Sequence, residues 1–172
     1  FRAVQHGVKA GHVQEAYDEV FRRRIDRGEG YLFRSLGAFG PLLDMIGAFF
    51  DPPWQAPRAE LTREAKTWLL GSAGFALTAT GRLEDSIAPR QASLDAYIDN
   101  EQWHYAAMLA GELAGTLLTL GRIDEAVKVA EHAVSLADTS RDPKQAIWRR
   151  AHQAAMANLA AGHAERALEL SQ

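Results

Sequence analysis

A glycine-led hexapeptide recurs along the chain, and its regular spacing restricts the folds that this sequence can adopt. The shared pattern is glycine, a cationic or imidazole residue, an apolar residue, two polar residues and a small residue. The interval from Gly81 to Gly121 and the interval from Gly121 to Gly162 differ by a single position. Near-constant spacing of this kind is typical of chains built from repeated supersecondary units. The four copies occupy residues 11–16, 81–86, 121–126 and 162–167.

Each position of the hexapeptide suits a turn between two helices. Glycine ends a helix by adopting the left-handed conformation without a steric penalty, and the acidic residues after it favour the start of the next helix through its dipole. Apolar residues after the third copy keep the spacing of one helical face, at Ile123, Ala126, Val127 and Ala130. We therefore predict a helical hairpin in each unit, and a degraded fifth turn at Gly40.

The amino-acid composition also predicts an all-α fold. The 172 residues include 31 alanines and 19 leucines but only 13 valines and isoleucines together, and Ala and Leu lose little side-chain freedom in a helix. Three prolines in residues 51–58 exclude a helix interior there. Thr62, Asp142 and the pair Asp99-Asn100 are predicted helix starts. The helices are predicted near residues 1–10, 13–26, 29–37, 41–50, 61–80, 83–98, 101–120, 123–138, 143–161 and 163–172.

Charge and cysteine content exclude several classes of protein. The chain has no cysteine, which excludes a disulfide framework and thiolate metal sites. A net charge of −3 gives no electrostatic basis for binding nucleic acid or anionic membranes. The uncharged stretch 67–81 is too short to span a bilayer. We expect a cytoplasmic protein that has no nucleic-acid or membrane partner.

The pattern of helix, glycine turn and helix resembles the tetratricopeptide repeat family over nearly the whole chain, in a variant whose period is longer than the usual one. Gly74, Ala114 and Ala155 match a small-residue site of the family, whereas Ser86 replaces the alanine expected after the turn. The resemblance implies a right-handed α-solenoid of stacked antiparallel hairpins; the alternatives are an unrelated helical bundle or another two-helix array. Both ends cut inside a repeat, so we expect a piece of a longer protein. The units would be residues 1–26, 27–60, 61–100, 101–141 and 142–172.

A second resemblance concerns the run AFFDPPW at residues 48–54 and the long helix predicted after Leu61. This run is similar to ones in the repeat tails of bacterial signal-transduction ATPases, where the repeats act as sensor or scaffold. No Gly-x-x-x-x-Gly-Lys-Ser/Thr loop occurs in the sequence, so an ATPase module would lie upstream and outside it. Trp54 in this loop is predicted to be either a plug against neighbouring helices or an exposed anchor for a partner.

No constellation of residues in the sequence predicts catalysis or metal binding. The six histidines include no pair at the i, i+3 or i, i+4 spacing of a helix-borne metal site. The sequence contains neither a nucleophile elbow nor a dinucleotide-binding glycine loop. His12 and His163 share the turn position that Arg82 and Arg122 fill, which indicates solvated side chains near a helix end. We predict that the chain is not an enzyme and uses no cofactor and no metal.

The tetratricopeptide resemblance also implies a binding groove, lined by the first helix of each unit. Gly71, Gly111 and Gly115 would leave its floor open to an incoming backbone or side chain. The alternative for Trp68 and Phe75 is that they fill the core between repeats. A clamp for a C-terminal carboxylate is not expected, because the cations and amides that such a clamp uses are largely missing at these positions. The candidate groove residues are Trp68, Ser72, Phe75, Met108, Glu112, Leu118, Arg149, His152, Gln153 and Met156.

These observations predict a non-enzymatic scaffold that binds a protein or peptide partner through the groove, as part of a larger regulatory protein. Two alternatives stay open. The repeats could sense a ligand and control an upstream signalling ATPase, or they could form an architectural segment that self-associates.

Overall fold

The computed structural model describes residues 2–28 and 30–171, and the chain is all-helical within these ranges. The described ranges contain no β-strand, and an isolated bridge joins Phe50 to Pro57. The elements are α1 (Arg2–Lys9), α2 (Val13–Glu15), a π-helical segment (Ala16–Ile25), α3 (Tyr31–Arg34), α4 (Phe39–Ile46), a 3₁₀ turn (Gly47–Phe49), α5 (Arg63–Ala79), α6 (Leu83–Asp99), α7 (Trp103–Thr119), α8 (Ile123–Thr139), α9 (Pro143–Trp148), a second π-helical segment (Arg149–Ala154), α10 (Ala155–Ala160) and α11 (Ala164–Ser171).

The long helices are uniform in length, and consecutive helices pack on one another. Helices α5, α6, α7 and α8 have 17 residues each. Helix α4 packs on α5, α7 packs on α8, and α10 packs on α11. The all-α prediction is confirmed. None of the described helices combines the length and the apolar character that crossing a bilayer requires.

Left-handed residues divide the chain at nearly equal intervals from position 81 to position 162. Gly81, Gly121 and Gly162 have φ angles of 78°, 74° and 82°, as the hexapeptide predicts. Between them, Glu101 and Arg141 have φ angles of 56° and 57°. The glycine turns therefore alternate with turns in which a charged residue takes a conformation that is uncommon outside glycine.

The glycine turns at 121 and 162 close with the same pair of hydrogen bonds. The glycine N–H donates to the carbonyl three residues earlier at 3.0 Å in both turns. The N–H of the following residue, Arg122 or His163, donates to the carbonyl five residues earlier at 2.9 Å. This pairing satisfies carbonyl groups that the last helical turn would leave without partners.

The N-terminal region differs from two of the predictions. Gly40 lies inside α4, and the left-handed residue before that helix is Gly37, with φ at 59°, so the predicted turn at Gly40 is wrong. The helix predicted over residues 29–37 covers only Tyr31–Arg34, because left-handed Gly30 and Gly37 interrupt the helical backbone on either side. Residues 1, 29 and 172 of the predicted helices lie outside the described residues.

Two of the three predicted helix starts are confirmed. The Thr62 hydroxyl accepts a hydrogen bond from the Ala65 N–H at 3.2 Å, and the Asp142 carboxylate accepts one from the Lys144 N–H at 2.9 Å. Both contacts satisfy donors of the first helical turn. The start predicted at Asp99-Asn100 is wrong, because Asp99 is the last residue of α6 and the left-handed turn follows it.

The chain divides into two compact units, residues 1–89 and 90–172. A group of aromatic rings lies in the core of the first unit, among buried aliphatic residues such as Leu42, Ile46 and Leu69. Tyr17, Phe21 and Phe49 are buried, and the half-buried Trp68 joins them. Neighbouring rings in this group have centroids 5.5–6.1 Å apart, the separation at which tilted and edge-on aromatic pairs are favourable. We call these four residues the aromatic core.

Alanine is the most frequent buried residue of the second unit, beside buried leucines such as Leu113 and Leu117. One buried cluster consists of five alanines and Leu170, and half-buried Leu118 and three valines pack against it. Methyl side chains allow two helix backbones to approach closely. The buried alanines of the cluster, which we call the alanine core, are Ala114, Ala130, Ala154, Ala155 and Ala157.

Candidate functional site

Two candidate groove residues of the first unit contact aromatic side chains. The ring of Trp68 lies 5.5 Å from Phe21, and the Arg22 guanidinium lies 4.4 Å from its centroid. Phe75 keeps 39% of its surface exposed and contacts the rings of Phe33 and Phe39, each at 5.6 Å. The core alternative therefore describes Trp68 better than the groove prediction does. Phe75 retains the exposure that a contact residue needs.

Ser72 and the loop tryptophan are both half-buried. Trp54 has a left-handed backbone, with φ at 64°, and its ring lies 5.5 Å from Phe50. A Cβ added at Gly47 would lie 3.4 Å from the indole. Of the two predicted roles, the plug fits these contacts, because the indole packs on the backbone of its own unit.

Two hydrogen-bonded pairs of polar side chains in the second unit, linked by the effect of the Glu112 charge on Arg149, form a group that we call the Arg149 cluster. Arg90 from α6 donates to the Glu112 carboxylate on α7, and Arg149 donates to the Gln153 amide oxygen at 2.7 Å. Arg90 and Arg149 are only 3% and 5% exposed. The Glu112 side chain is 34% exposed and connects the cluster to the surface. The structure thus brings together three candidate groove residues and adds Arg90.

Burial sets the electrostatics of the Arg149 cluster. It lowers the pKa of the Arg149 guanidinium from its ordinary value, because desolvation penalises the charged form, and the charge of Glu112 acts in the opposite direction. A guanidinium stays protonated in proteins. Glu112 is therefore the ion-pair partner of Arg90, and its negative charge also favours the charged form of Arg149.

The groove prediction expects both Gly111 and Gly115 on α7 to leave the floor of the groove open. The surroundings of the two glycines differ in the structure. A Cβ at position 111 would overlap the Gln153 amide oxygen and lie 2.5 Å from Nη1 of Arg149. The Arg149 cluster therefore covers Gly111, and the prediction of an open floor there is wrong. A Cβ at the exposed Gly115 would meet nothing within 4 Å. The floor is open at Gly115.

The second π-helical segment accounts for the longer interval between Gly121 and Gly162. The helical run 143–160 is one residue longer than α7, and a one-residue excess is what a π-helical segment absorbs inside a helix. Before the π-helical segment, each residue of the run lies one shorter glycine interval after its counterpart in α7. Trp148 therefore corresponds to Met108, and Met108 corresponds to Trp68. Arg149 then takes the place of two buried leucines, Leu69 and Leu109.

This alignment identifies Trp148, which is absent from the predicted groove. If the repeat units are aligned by the longer glycine interval, Arg149 pairs with Met108. That alignment does not show the series of large side chains at positions 68, 108 and 148. Trp148 is 54% exposed, and its ring lies 4.6 Å from that of His152. The equal spacing of these three side chains is visible in the sequence, but the position of the extra residue is not.

The remaining candidates of the second unit fall into an exposed and a packed group. Met156 is 52% exposed, and His152 is exposed as well. Met108 is half-buried, whereas Leu118 packs against the alanine core. Leu118 therefore has a structural contact that explains it without a partner.

Two further features bear on the predictions about histidine and metal. His12 and His163 are both exposed, as predicted, and Nδ1 of His163 lies 3.3 Å from the side-chain oxygen of Asn158. Nδ1 of His104 lies 3.2 Å from a carboxylate oxygen of Asp142. His104 also lines a shallow hollow of about 300 Å³. Within residues 2–28 and 30–171, no group of three or more His, Asp or Glu side chains is placed to hold a metal ion.

Comparison of the chain with family models, with curated protein sequences and with solved structures finds no match in any of the three. The tetratricopeptide resemblance therefore depends on the residues and helices of this chain alone.

Proposed function

We propose that the chain is a non-enzymatic module that binds a protein or peptide on its second unit, against the exposed face of α7 and the helical run 143–160. The observation that carries the proposal is the open backbone at Gly115. Glycine in a helix interior costs about 1 kcal/mol relative to alanine. Internal packing gives no reason for that cost, because a side chain at this position would meet empty space. Close approach of a partner supplies a reason.

Side chains on α7 and on the run 143–160 are suited to recognition. Glu112 and Met108 are half-buried on α7, one turn and two turns before Gly115. Met156 and Trp148 expose about half of their surface on the run 143–160. Methionine and tryptophan bury much area per contact, and methionine adapts to partners of different shape. The face therefore combines a bare backbone, a carboxylate and large apolar side chains.

The regular turns support a tetratricopeptide-like assignment for the hairpins. The equal lengths of α5 to α8 and the near-constant spacing of the left-handed turns fit the predicted longer variant of that repeat. Binding is the usual use of such arrays. The right-handed solenoid, the link to an upstream signalling ATPase, self-association and the cytoplasmic location stay predictions.

Filling the open floor tests the proposal. Peptides are first selected on the immobilised chain from a random peptide library, and their affinities are measured by fluorescence anisotropy. We expect Gly115→Trp to weaken binding of the selected peptides at least tenfold, about 1.4 kcal/mol, because the indole occupies the space that the partner needs.

Gly40→Trp is the matched control, because Gly40 is also helical, exposed and open, and it lies in the first unit. Circular dichroism should show unchanged helix content in both variants. Peptides that bind Gly115→Trp as well as they bind the parent chain would contradict the proposal. An equal loss in both variants would contradict it too.

A further inference from the structure

Three large aliphatic side chains lie exposed on the hairpin that the helical run 143–160 forms with α11. Ile147, Leu159 and Leu168 are 67%, 58% and 61% exposed. Leu159 and Leu168 lie on either side of the turn at Gly162, on two helices that pack on each other. Single exposed apolar residues are common on protein surfaces, but a group of them indicates an interaction surface. We call these three residues the outer face.

The preceding hairpin, α7 and α8, shows what kind of structure covers such positions. One longer glycine interval earlier in the chain, Leu159 and Leu168 correspond to Leu118 and Val127. These two counterparts are half-buried, and they pack against a cluster to which the following hairpin contributes three alanines and Leu170. By this correspondence, the outer face is placed as an interface between two helical hairpins.

Ile147 lies near the other end of the run and shares a helical face with Leu159. The counterparts of these residues on α7, Ala107 and Leu118, are close to three helical turns apart. The π-helical segment takes up the additional residue of the run, so Ile147 and Leu159 stay in line. Ala107 is fully buried, whereas the larger Ile147 is exposed. The outer face therefore extends along the run and is not confined to the turn.

Charged side chains of opposite sign lie at the two ends of the outer face. Lys144 comes three residues before Ile147, and Glu165 comes three residues before Leu168, the spacing that puts two side chains on one side of a helix. Lys144 and Glu165 are both exposed. A two-fold rotation about the middle of the face exchanges its ends, which brings Lys144 of one copy towards Glu165 of another. The same rotation brings Ile147 towards Leu159 and Leu168, so the face is complementary to itself.

We propose that the outer face binds the outer face of a second copy of this chain, in a dimer with two-fold symmetry. Such a contact closes with two copies, and two-fold dimers are the commonest oligomers of soluble proteins. A different protein would have to supply both an apolar pair of helices and charges in the reverse order, whereas a second copy has both. The inference goes beyond the proposed function and does not depend on it.

The first experiment measures the mass of the full chain by light scattering and its dimer dissociation constant by sedimentation equilibrium. We expect twice the mass of one chain at micromolar concentration. Leu168→Glu should raise the dissociation constant at least about tenfold, because it puts a carboxylate from each copy into the apolar contact. Leu36→Glu, at a leucine of the first unit that is 56% exposed, is the matched control and should dimerise as the parent chain does.

Three outcomes would overturn the proposal. A parent chain that stays monomeric would leave the outer face to a different protein. An equal loss in the Leu36→Glu variant would show that the dimer uses another surface. Assemblies that grow beyond two copies would exclude two-fold closure. Circular dichroism should show the same helix content in the parent chain and in both variants, and Leu159→Glu replaces Leu168→Glu if the latter does not fold.

The second experiment tests the symmetry by exchanging the charges. Lys144→Glu and Glu165→Lys should each raise the dissociation constant about threefold, since like charges then meet at both ends of the interface. The double variant should return to the value of the parent chain, because the opposite charges meet again. A dimer that either single change leaves unaffected, or that the double change does not restore, would overturn the two-fold arrangement.

The outcomes separate this inference from the proposed function. Leu168 lies on α11, which the proposed peptide face does not include, so Leu168→Glu should keep the affinity for the selected peptides. Gly115→Trp should likewise keep the dimer. A monomeric chain that binds the selected peptides would remove the dimer alone, and a dimer for which no peptide can be selected would remove the proposed function alone.

Discussion

The two units of the chain build their cores from different materials. In the first unit, four aromatic side chains pack at centroid separations of 5.5–6.1 Å, and the helices around them vary from 3 to 17 residues. In the second unit, alanine is the most frequent buried residue, with leucines such as Leu113 and Leu117 beside it, and α7 and α8 have equal length. Each ring buries about 150–250 Å², so it can fill gaps between irregular helices. Alanine cannot do so, and helices packed through it must therefore keep a close and regular spacing.

Truncating the aromatic core should have the largest effect. Phe21 is fully buried and contacts Tyr17, Phe49 and Trp68. We expect Phe21→Ala to lower the free energy of unfolding by about 3–5 kcal/mol, measured by urea denaturation. Phe75→Ala, at a partly exposed ring, should cost clearly less. Equal losses of unfolding free energy in the two variants would show that the aromatic core does not stabilise the first unit more than a partly exposed ring does.

Enlarging an alanine of the second unit should have an intermediate effect on stability. The loss comes from overpacking, whereas truncating Phe21 leaves a cavity. Ala130 is fully buried on α8, and a leucine there would force the packed helices apart. We expect Ala130→Leu to cost about 1–3 kcal/mol in the same denaturation experiment. Ala160→Leu, at an exposed position, should leave stability nearly unchanged. A stabilised Ala130→Leu would mean that the alanine core contains unfilled space.

The smallest effect concerns a buried charge of the first unit and depends on pH. Asp26 is fully buried, its Oδ1 has no hydrogen-bond partner within the described part of the chain, and its other oxygen accepts from Arg22. Burial raises the pKa of this carboxyl above its ordinary value of 3.8, although Arg22, the backbone of Gly30 and Arg34 oppose the shift. The folded state therefore holds the proton more tightly than the unfolded state, and this contribution to stability is lost as the pH rises through the raised pKa.

Asp26→Asn removes that dependence. Relative to the variant, the parent chain should lose stability as the pH rises above about 4, the ordinary pKa of an aspartate, measured from a series of thermal melts at increasing pH. Asp18→Asn, at an exposed carboxylate, is the control and should track the parent chain. A parent chain that gains stability against Asp26→Asn as the pH rises would contradict the direction of the shift.

The same contrast explains which features can be predicted from the sequence. The glycine turns at 81, 121 and 162 depend on local backbone preference, and their spacing shows them directly. The turn at Gly37 is easily misplaced to Gly40, because both are glycines before an apolar run and only the fold selects one. Local pattern also cannot show that Trp68 joins Tyr17 and Phe21, since those contacts link residues far apart along the chain.

The candidate site is predictable only in part, for a similar reason. Glu112, Arg149 and Gln153 follow from their repeat positions, and the structure brings them together. Arg90 does not, because it lies on a second helix, where no groove residue is expected. The longer of the two glycine intervals indicates an extra residue, but many positions between 121 and 162 could hold it. The structure places it in the π-helical segment Arg149–Ala154.

The second π-helical segment has a consequence for how a repetitive chain changes its length. The turn at Gly162 closes with the same hydrogen-bond distances as the turn at Gly121, although the segment with the added residue lies only a short way before it. The distortion is confined to a few residues and does not reach α11. A chain of this kind can accept a single-residue insertion in the middle of a helix, gain a buried polar group there, and leave every later turn in phase.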